Sequence, residues 1–217
     1  MTFIEIVSIL ARGAGFTILV TLACVLTGFL SGLVAALLFR LNIKVLNGFL
    51  TFFTYVFRGV PLLVLLFLVF FGFPSVGIKI PPLIAMMLSL GLICGAYLAE
   101  VFRGALAAID PAEIMVAQSM GMSRAQILIS IEMPQMLRFS APGMLNEFTT
   151  VLKYSPFAYT VGVPEILKEA TSLALTTLRG MEIYLAVGVL YFLIYKVMME
   201  AFLMIERHYM IPGFRKI

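Results

Sequence analysis

The sequence predicts an all-α integral membrane protein of about five spans, N-terminus outside and C-terminus in the cytoplasm, on three observations. Of its 217 residues 62% are hydrophobic and 12% charged, with a mean hydropathy of +1.10. A soluble domain is nearer ~50% apolar and ~25% charged, and one core of this size cannot bury the excess. Uncharged runs separate the charges, such as Arg12 to Arg40 and Arg58 to Lys79. At about 1.5 Å per residue these are ample to cross a ~30 Å hydrocarbon layer. Finally, the basic residues sort by side. Arg40, Lys44, Arg58, Arg103, Arg124, Arg138, Arg207, Arg215 and Lys216 flank one side, against Arg12, Lys79, Lys168 and Arg179 on the other. The side with the excess is expected to be cytoplasmic.

Residues 1–12 read as an external segment. Their mixed acid and base, with no short apolar core ahead of a small-residue cleavage site, suit a permanent start rather than a leader. The first span covers about 13–39, where Gly28, Ser31, Gly32, Ala35 and Ala36 recur at three- and four-residue spacing and permit close helix packing. The second covers 52–73 and ends in a tight turn at Pro74 and Gly77. The third covers 80–100. Residues 101–138 read as a structured cytoplasmic loop, holding Arg103, Asp110, Glu113, Arg124, Glu132 and Arg138. A fourth span, 139–163, contains Glu147 and Lys153, and the fifth, 183–204, leads to a cytoplasmic tail at 207–217.

Other classes fit less well. The net charge of +4 and pI near 9.2 come from residues at run ends, not from one basic face, so nucleic acid is not an expected partner. Cys24 and Cys94 lie inside apolar runs, as small core residues do. His208 is the only imidazole and no Cys/His cluster exists, so neither metal nor cofactor is expected. The spans offer no nucleophile–base pair for an intramembrane enzyme. A secondary transporter would commonly show an internal repeat, and five spans do not halve. A channel subunit would leave the loop's capped helix without a purpose.

That helix lies in IDPAEIMVAQSMGMSRAQILISIEMPQ, residues 109–135. Asp110 suits an N-cap, Pro111 the first helical position and Gly121 the position just past the C-terminus; Ser123 can cap a second helix running into the fourth span. Ile114, Ala117 and Gly121 share one face at helical spacing, which a partner's groove or the bilayer surface could receive.

In the fourth span Glu147, Thr150 and Tyr154 form one helical stripe, and Asn146, Thr149 and Lys153 the next. Charges in hydrocarbon are costly unless they face a cavity or one another. Pro156 breaks the helix and frees a carbonyl near position 152, which a cavity would satisfy. This wedge, with Ser155 at the break, is the candidate substrate pathway. The alternative is a Glu147–Lys153 pair that locks two subunits together.

Here the residues resemble a family. GMSR (121–124) with the later MPQ (133–135) is similar to the Glu-Ala-Ala loop of ATP-binding-cassette importer permeases. FRGVPLLVLLF (57–67), GAYLAEVFRGAL (95–106), PQMLR (134–138), NEF (146–148), LK (152–153) and VGVPEI (161–166) resemble the polar-amino-acid branch, in order and over nearly the whole chain. The resemblance implies a type I importer fold in a prokaryotic inner or plasma membrane. It implies a second permease subunit, the same chain or a homologous one, two cytoplasmic ATPase subunits and an extracytoplasmic solute-binding protein. The chain has no GxxxxGK[ST] loop, so ATP would be bound by the partner. Coupling would pass through Asp110, Ile114, Met115, Ala117, Gly121, Arg124 and Pro134. Met115 stands where the family has Glu, with Val116 and Ala117 at the alanine positions, which implies a missing charged contact. The pathway would be lined by Tyr55, Asn146, Glu147, Thr150, Lys153, Tyr154 and Ser155. The family often carries acids at the positions of Tyr55 and Tyr154. Two phenols there imply a neutral or acidic amino acid, or a non-identical partner that supplies the charge for an arginine-like one.

Overall fold

The structure, a computed structural model, describes residues 2–209 and the side chains through Met204; the rest of the expected tail, 210–217, lies outside the described residues. Every regular element among them is helical. Helix α1 (Phe3–Arg40) opens with a capping box, Thr2 Oγ1 accepting from Glu5 N–H and the Glu5 carboxylate accepting from Thr2 N–H. Its 38 residues give a rod of about 57 Å. Residues 3–12, expected as a segment ahead of the first span, are thus continuous with it.

The expected second span, 52–73, is not one straight helix. Helix α2 (Lys44–Gly59) and α3 (Leu62–Phe67), which runs on through π and 3-10 turns to Val76, meet at an angle of 105°. Pro61 is the reason: it excludes Val60 from helical backbone and lacks the N–H to continue the ladder, and Val60 sits extended at φ −86°, ψ 129°. The turn that follows closes on Gly77 at φ +85°, where a side chain would be strained.

Helix α4 (Pro82–Met86) passes through a π turn into α5 (Leu92–Ala107). Then come α6 (Pro111–Ser119), α7 (Arg124–Ile127), a second π turn (Leu128–Glu132) and α8 (Met133–Tyr154). A 3-10 turn (Ser155–Val161) leads to α9 (Ile166–Thr177) and α10 (Gly180–Tyr209). The expected fourth span at 139–163 therefore holds a helix that stops at Tyr154. Phe3–Arg40, Pro82–Ala107 and Gly180–Met204 are long and apolar enough to cross a membrane, and the bent pair α2–α3 makes a fourth. Helix α8, with Arg138, Asn146, Glu147 and Lys153 along it, is not one of them.

Helices α1 and α5 pack along a seam of small residues. A Cβ at Gly28 would meet Cys94 Cβ at 2.7 Å, and one at Gly32 would meet Leu98 Cβ at 2.8 Å and the Gly95 carbonyl oxygen at 2.9 Å. Gly91 is equally close to Thr27. The backbones approach so nearly only because these positions carry no side chain.

The two ends of α1 hold different parts of the chain. At its C-terminal end the Arg40 guanidinium forms a two-pronged ion pair with buried Glu132, Nε lying 3.2 Å from Oε2. At its N-terminal end Ile6 and Leu10 pack with Ile166, Ala170, Ile183 and Ala186 of α9 and α10. The 110–134 stretch and α9 thus sit at opposite ends of the molecule. Breaking a fully buried pair costs about 3–5 kcal/mol and an exposed one under about 1 kcal/mol. Arg40 is half exposed. Arg40→Ala, which strands Glu132, is expected to cost about 2 kcal/mol, read as a lower Tm of the purified chain.

Candidate transport site

The helix between α5 and α8 forms where the local signals place it. Asp110 Oδ1 accepts from Ala112 N–H at 2.8 Å, Pro111 occupies the first turn, and Gly121 ends the helix at φ +82°. Ser123 caps α7 in a capping box with Gln126. Glu113 accepts from Gln135 Nε2 at 2.5 Å, tying α6 to the first turn of α8 beside Pro134. Arg124 opens α7 and is exposed.

Facing differs from expectation. Ala117, assigned to the outward face with Ile114 and Gly121, is only 4% exposed. Its carbonyl accepts from the Met122 N–H at 3.1 Å as the helix ends. A small residue lets α6 lie close to the chain that follows. The surface left bare is made by Met115, Val116 and Met120, at 62%, 58% and 77% exposure. An open apolar hollow of about 390 Å³ runs alongside, lined by Ala112, Glu113, Val116, Ala117, Met120, Met122 and Ile131.

The pathway residues separate into two groups. Asn146 is exposed beside half-buried Glu147, with its Nδ2 3.5 Å from Glu147 Oε1, and Thr150 Oγ1 donates to the Asn146 carbonyl. The cation whose field reaches Glu147 is Arg58, at the C-terminal end of α2. Arg58 lies over Tyr97 of α5, its guanidinium carbon 5.0 Å from the ring centroid. Tyr55, one turn before Arg58 on α2, is exposed. Within the chain, among the described residues, no ion pair joins Glu147 to Lys153, and Lys153 is exposed. The second group, Lys153, Tyr154 and Ser155, sits at the end of α8. Tyr154 stacks on Phe157, and Ser155 is buried with its Oγ donating to the Leu152 carbonyl at 2.9 Å. The carbonyl freed near position 152 is therefore satisfied by Ser155 rather than by a cavity.

Two functional candidates escape a reading by position along the chain. Arg58 counts there only as an orientation charge, although it stands beside the Pro61 corner. Glu165 stands out only as an acid following Pro164 between apolar runs. It is fully buried and reaches three helices. Its Oε1 accepts from Lys168 N–H at 2.9 Å, and its Oε2 accepts from the Tyr191 hydroxyl at 2.6 Å and lies 3.5 Å from Thr17 Oγ1.

Comparison with known proteins bears on the whole arrangement. Residues 6–210 match the family described as the binding-protein-dependent transport system inner membrane component. The chain is 33% identical over 199 residues to a probable amino-acid permease protein, YxeN, of Bacillus subtilis, covering 89% of each. It is 30% identical over 216 residues to the histidine/lysine/arginine/ornithine transport system permease protein HisQ of Escherichia coli, covering 93% of each. Its fold superposes on a chain of the crystal structure of an amino acid ABC transporter with histidines at a TM-score of 0.85 and 29% identity, covering 96% of this chain and 99% of that one. The MetNI methionine ABC transporter in its inward-facing form shares the fold at a TM-score of 0.75 and 21% identity.

Proposed function

The chain belongs to the binding-protein-dependent inner-membrane permease family of ABC importers, and from that premise we propose that it builds the pathway of an ATP-driven amino-acid importer together with a second permease subunit. It is a multi-pass inner-membrane protein of the type I importer fold. In this reading the 110–134 end faces the cytoplasm and α9 the exterior. ATPase subunits grip α6, and their closure on ATP tips it as a lever that changes which side the pathway faces. A solute-binding protein delivers cargo at the α9 end.

The observation that carries the reading is the capped helix α6. Its ends are satisfied by its own chain and it is braced by Gln135, yet it leaves Met115, Val116 and Met120 uncovered. Apolar side chains held rigidly in the open are what a groove on another protein receives. Cargo follows from the other group. An amino acid carries an ammonium and a carboxylate, and Glu147 together with Arg58, whose field reaches it, offers one partner for each. Tyr55 and Tyr154 add no anion for a cationic side chain, so a neutral or acidic amino acid fits this chain as a homodimer.

The test is uptake by liposomes holding the chain with its ATPase and binding protein, using labelled glutamine, glutamate, histidine and arginine in parallel. ATP-dependent uptake is expected, with arginine excluded from the homodimer. Uptake without the ATPase would overturn the importer reading, and arginine uptake by the homodimer would overturn the cargo assignment. Glu147→Gln is expected to lower uptake about 30-fold, since losing one member of a desolvated charged contact costs about 2 kcal/mol or more.

A further inference from the structure

Helix α10 meets its own chain along one face only. Ile183, Ala186 and Val187 join the core shared with α1 and α9, the Tyr191 hydroxyl donates to Glu165, and Phe202 packs on Phe148 of α8. The opposite face is bare along its length. Two exposed ridges run there at four-residue spacing, an apolar one from Leu185 to Val197 and, beside it, Gly188–Phe192–Lys196–Glu200.

Bare apolar side chains on a membrane helix ordinarily face lipid, and α1 shows the pattern. Its outward residues include Leu19, Leu22, Leu26 and Leu30, and no charge occurs between Arg12 and Arg40. The bare face of α10 is different because it carries Lys196 and Glu200. The apolar stretch of α10 begins at Ile183, so Lys196 stands about 20 Å into a layer of ~30 Å. Charges at such depth are costly against hydrocarbon and turn to a cavity or a partner instead. Among the described residues neither belongs to an ion pair, and Lys196 Nζ lies 6.0 Å from the ring centroid of Phe192 on its own helix. A lysine four residues before a glutamate is also the weaker order for pairing along one helix. Both charges are left for something outside the chain.

The ridge is complementary to itself. Two copies in one membrane point the same way, so a two-fold axis relating them runs along the membrane normal and residues of like depth face each other. Lys196 and Glu200 differ in depth by about 6 Å, within reach of a long lysine side chain. Lys196 of each copy therefore meets Glu200 of the other. Gly188, two turns before Lys196 on the same ridge, has nothing within 4 Å of a Cβ and lets a facing helix come close. Phe192 also lines the open hollow of about 390 Å³ that holds Lys153, with Pro156, Tyr191 and Tyr195. A copy seated on the ridge closes over that hollow and takes a third charge out of lipid.

We propose that the Gly188–Phe192–Lys196–Glu200 ridge of α10 is the surface on which a second copy of this chain docks, through reciprocal Lys196–Glu200 pairs. This rests on the importer reading, whose second permease subunit it makes an identical chain.

The experiment co-expresses the full chain in two differently tagged copies, without ATPase, and measures how much of one tag is recovered with the other. Wild-type copies are expected to be recovered together. Lys196→Glu in both copies gathers four acids at the contact, and Glu200→Lys in both gathers four cations. Either is expected to cut recovery at least about tenfold, as the loss of close charge pairs does. Lys196→Glu in one copy with Glu200→Lys in the other restores both reciprocal pairs, and recovery is expected to return to the wild-type level. That return also shows that each variant folds. A pair made only within one helix gives the opposite pattern, because mixing leaves two like charges on each helix. Undiminished recovery of the self-paired variants, no rescue in the mixed pair, or wild-type copies that do not pair overturns the proposal. ATP-driven uptake by the complete importer complex is measured alongside. Uptake without pairing overturns only the identity of the partner, whereas pairing without ATP-driven uptake overturns the importer reading and leaves the contact standing.

Discussion

Val116→Asp is expected to abolish ATPase coupling while leaving the chain folded. The position is 58% exposed on a helix whose termini are capped by Asp110 and closed by Gly121, so the carboxylate meets water in the isolated chain and the Tm stays within experimental error. In the proposed complex the same carboxylate would enter the groove that receives Met115, Val116 and Met120. An uncompensated charge buried in this way costs about 3–5 kcal/mol, or 100-fold to several thousand-fold in affinity. Co-purification of the ATPase should be lost, and ATP-driven uptake with it. Retention of both would show that α6 is not where the partner grips. The absence of an acid at Met115 sharpens the point: with three apolar side chains outward, the groove of the partner is expected to be apolar, and docking insensitive to salt.

Gly32→Leu is expected to have a large effect on folding. Its Cβ would stand 2.8 Å from Leu98 Cβ, 2.9 Å from the Gly95 oxygen and 3.1 Å from the Ala99 nitrogen. Two of these are backbone atoms of α5 and cannot turn aside, so the helices must separate along the Gly28–Gly32 and Gly91–Gly95 contact. Overpacking costs about 1–3 kcal/mol or more, and a leucine with nowhere to go belongs at or above the top of that range. Against a total stability of about 5–15 kcal/mol this should lower both the Tm and the yield of membrane-integrated protein. Gly48→Leu is the control. Nothing lies within 4 Å of a Cβ at Gly48, and its effect is expected within about 0.5 kcal/mol.

How far the sequence reaches is clearest in α6. Asp110, Pro111, Gly121 and Ser123 signal their caps within a few residues of the groups they satisfy, and the helix forms between them. Which side of it faces outward was not legible, because the burial of Ala117 depends on how the loop folds back. The 105° corner between α2 and α3 had a local sign in Pro61, but an apolar run has no direction of its own, so hydropathy joins both arms into one span. Glu147 was marked as costly by its setting alone. Arg58, whose field reaches it, belongs to another helix, 89 residues earlier in the sequence, and only the packing of α2 and α8 about α5 brings that about.

Class and local form follow from the residues alone: membrane residence from the apolar excess, helix ends from caps and prolines, and close helix contact from small residues at three- and four-residue spacing. These depend on solvation and on bonds between near neighbours. Which groups meet depends instead on the packing of the helices: Arg40 with Glu132, Arg58 with Tyr97, and Glu165 with Tyr191 and Thr17. Such encounters depend on the relative placement of whole helices. That placement is set by side-chain volume and backbone approach summed over long contacts, and no short stretch of sequence records the sum.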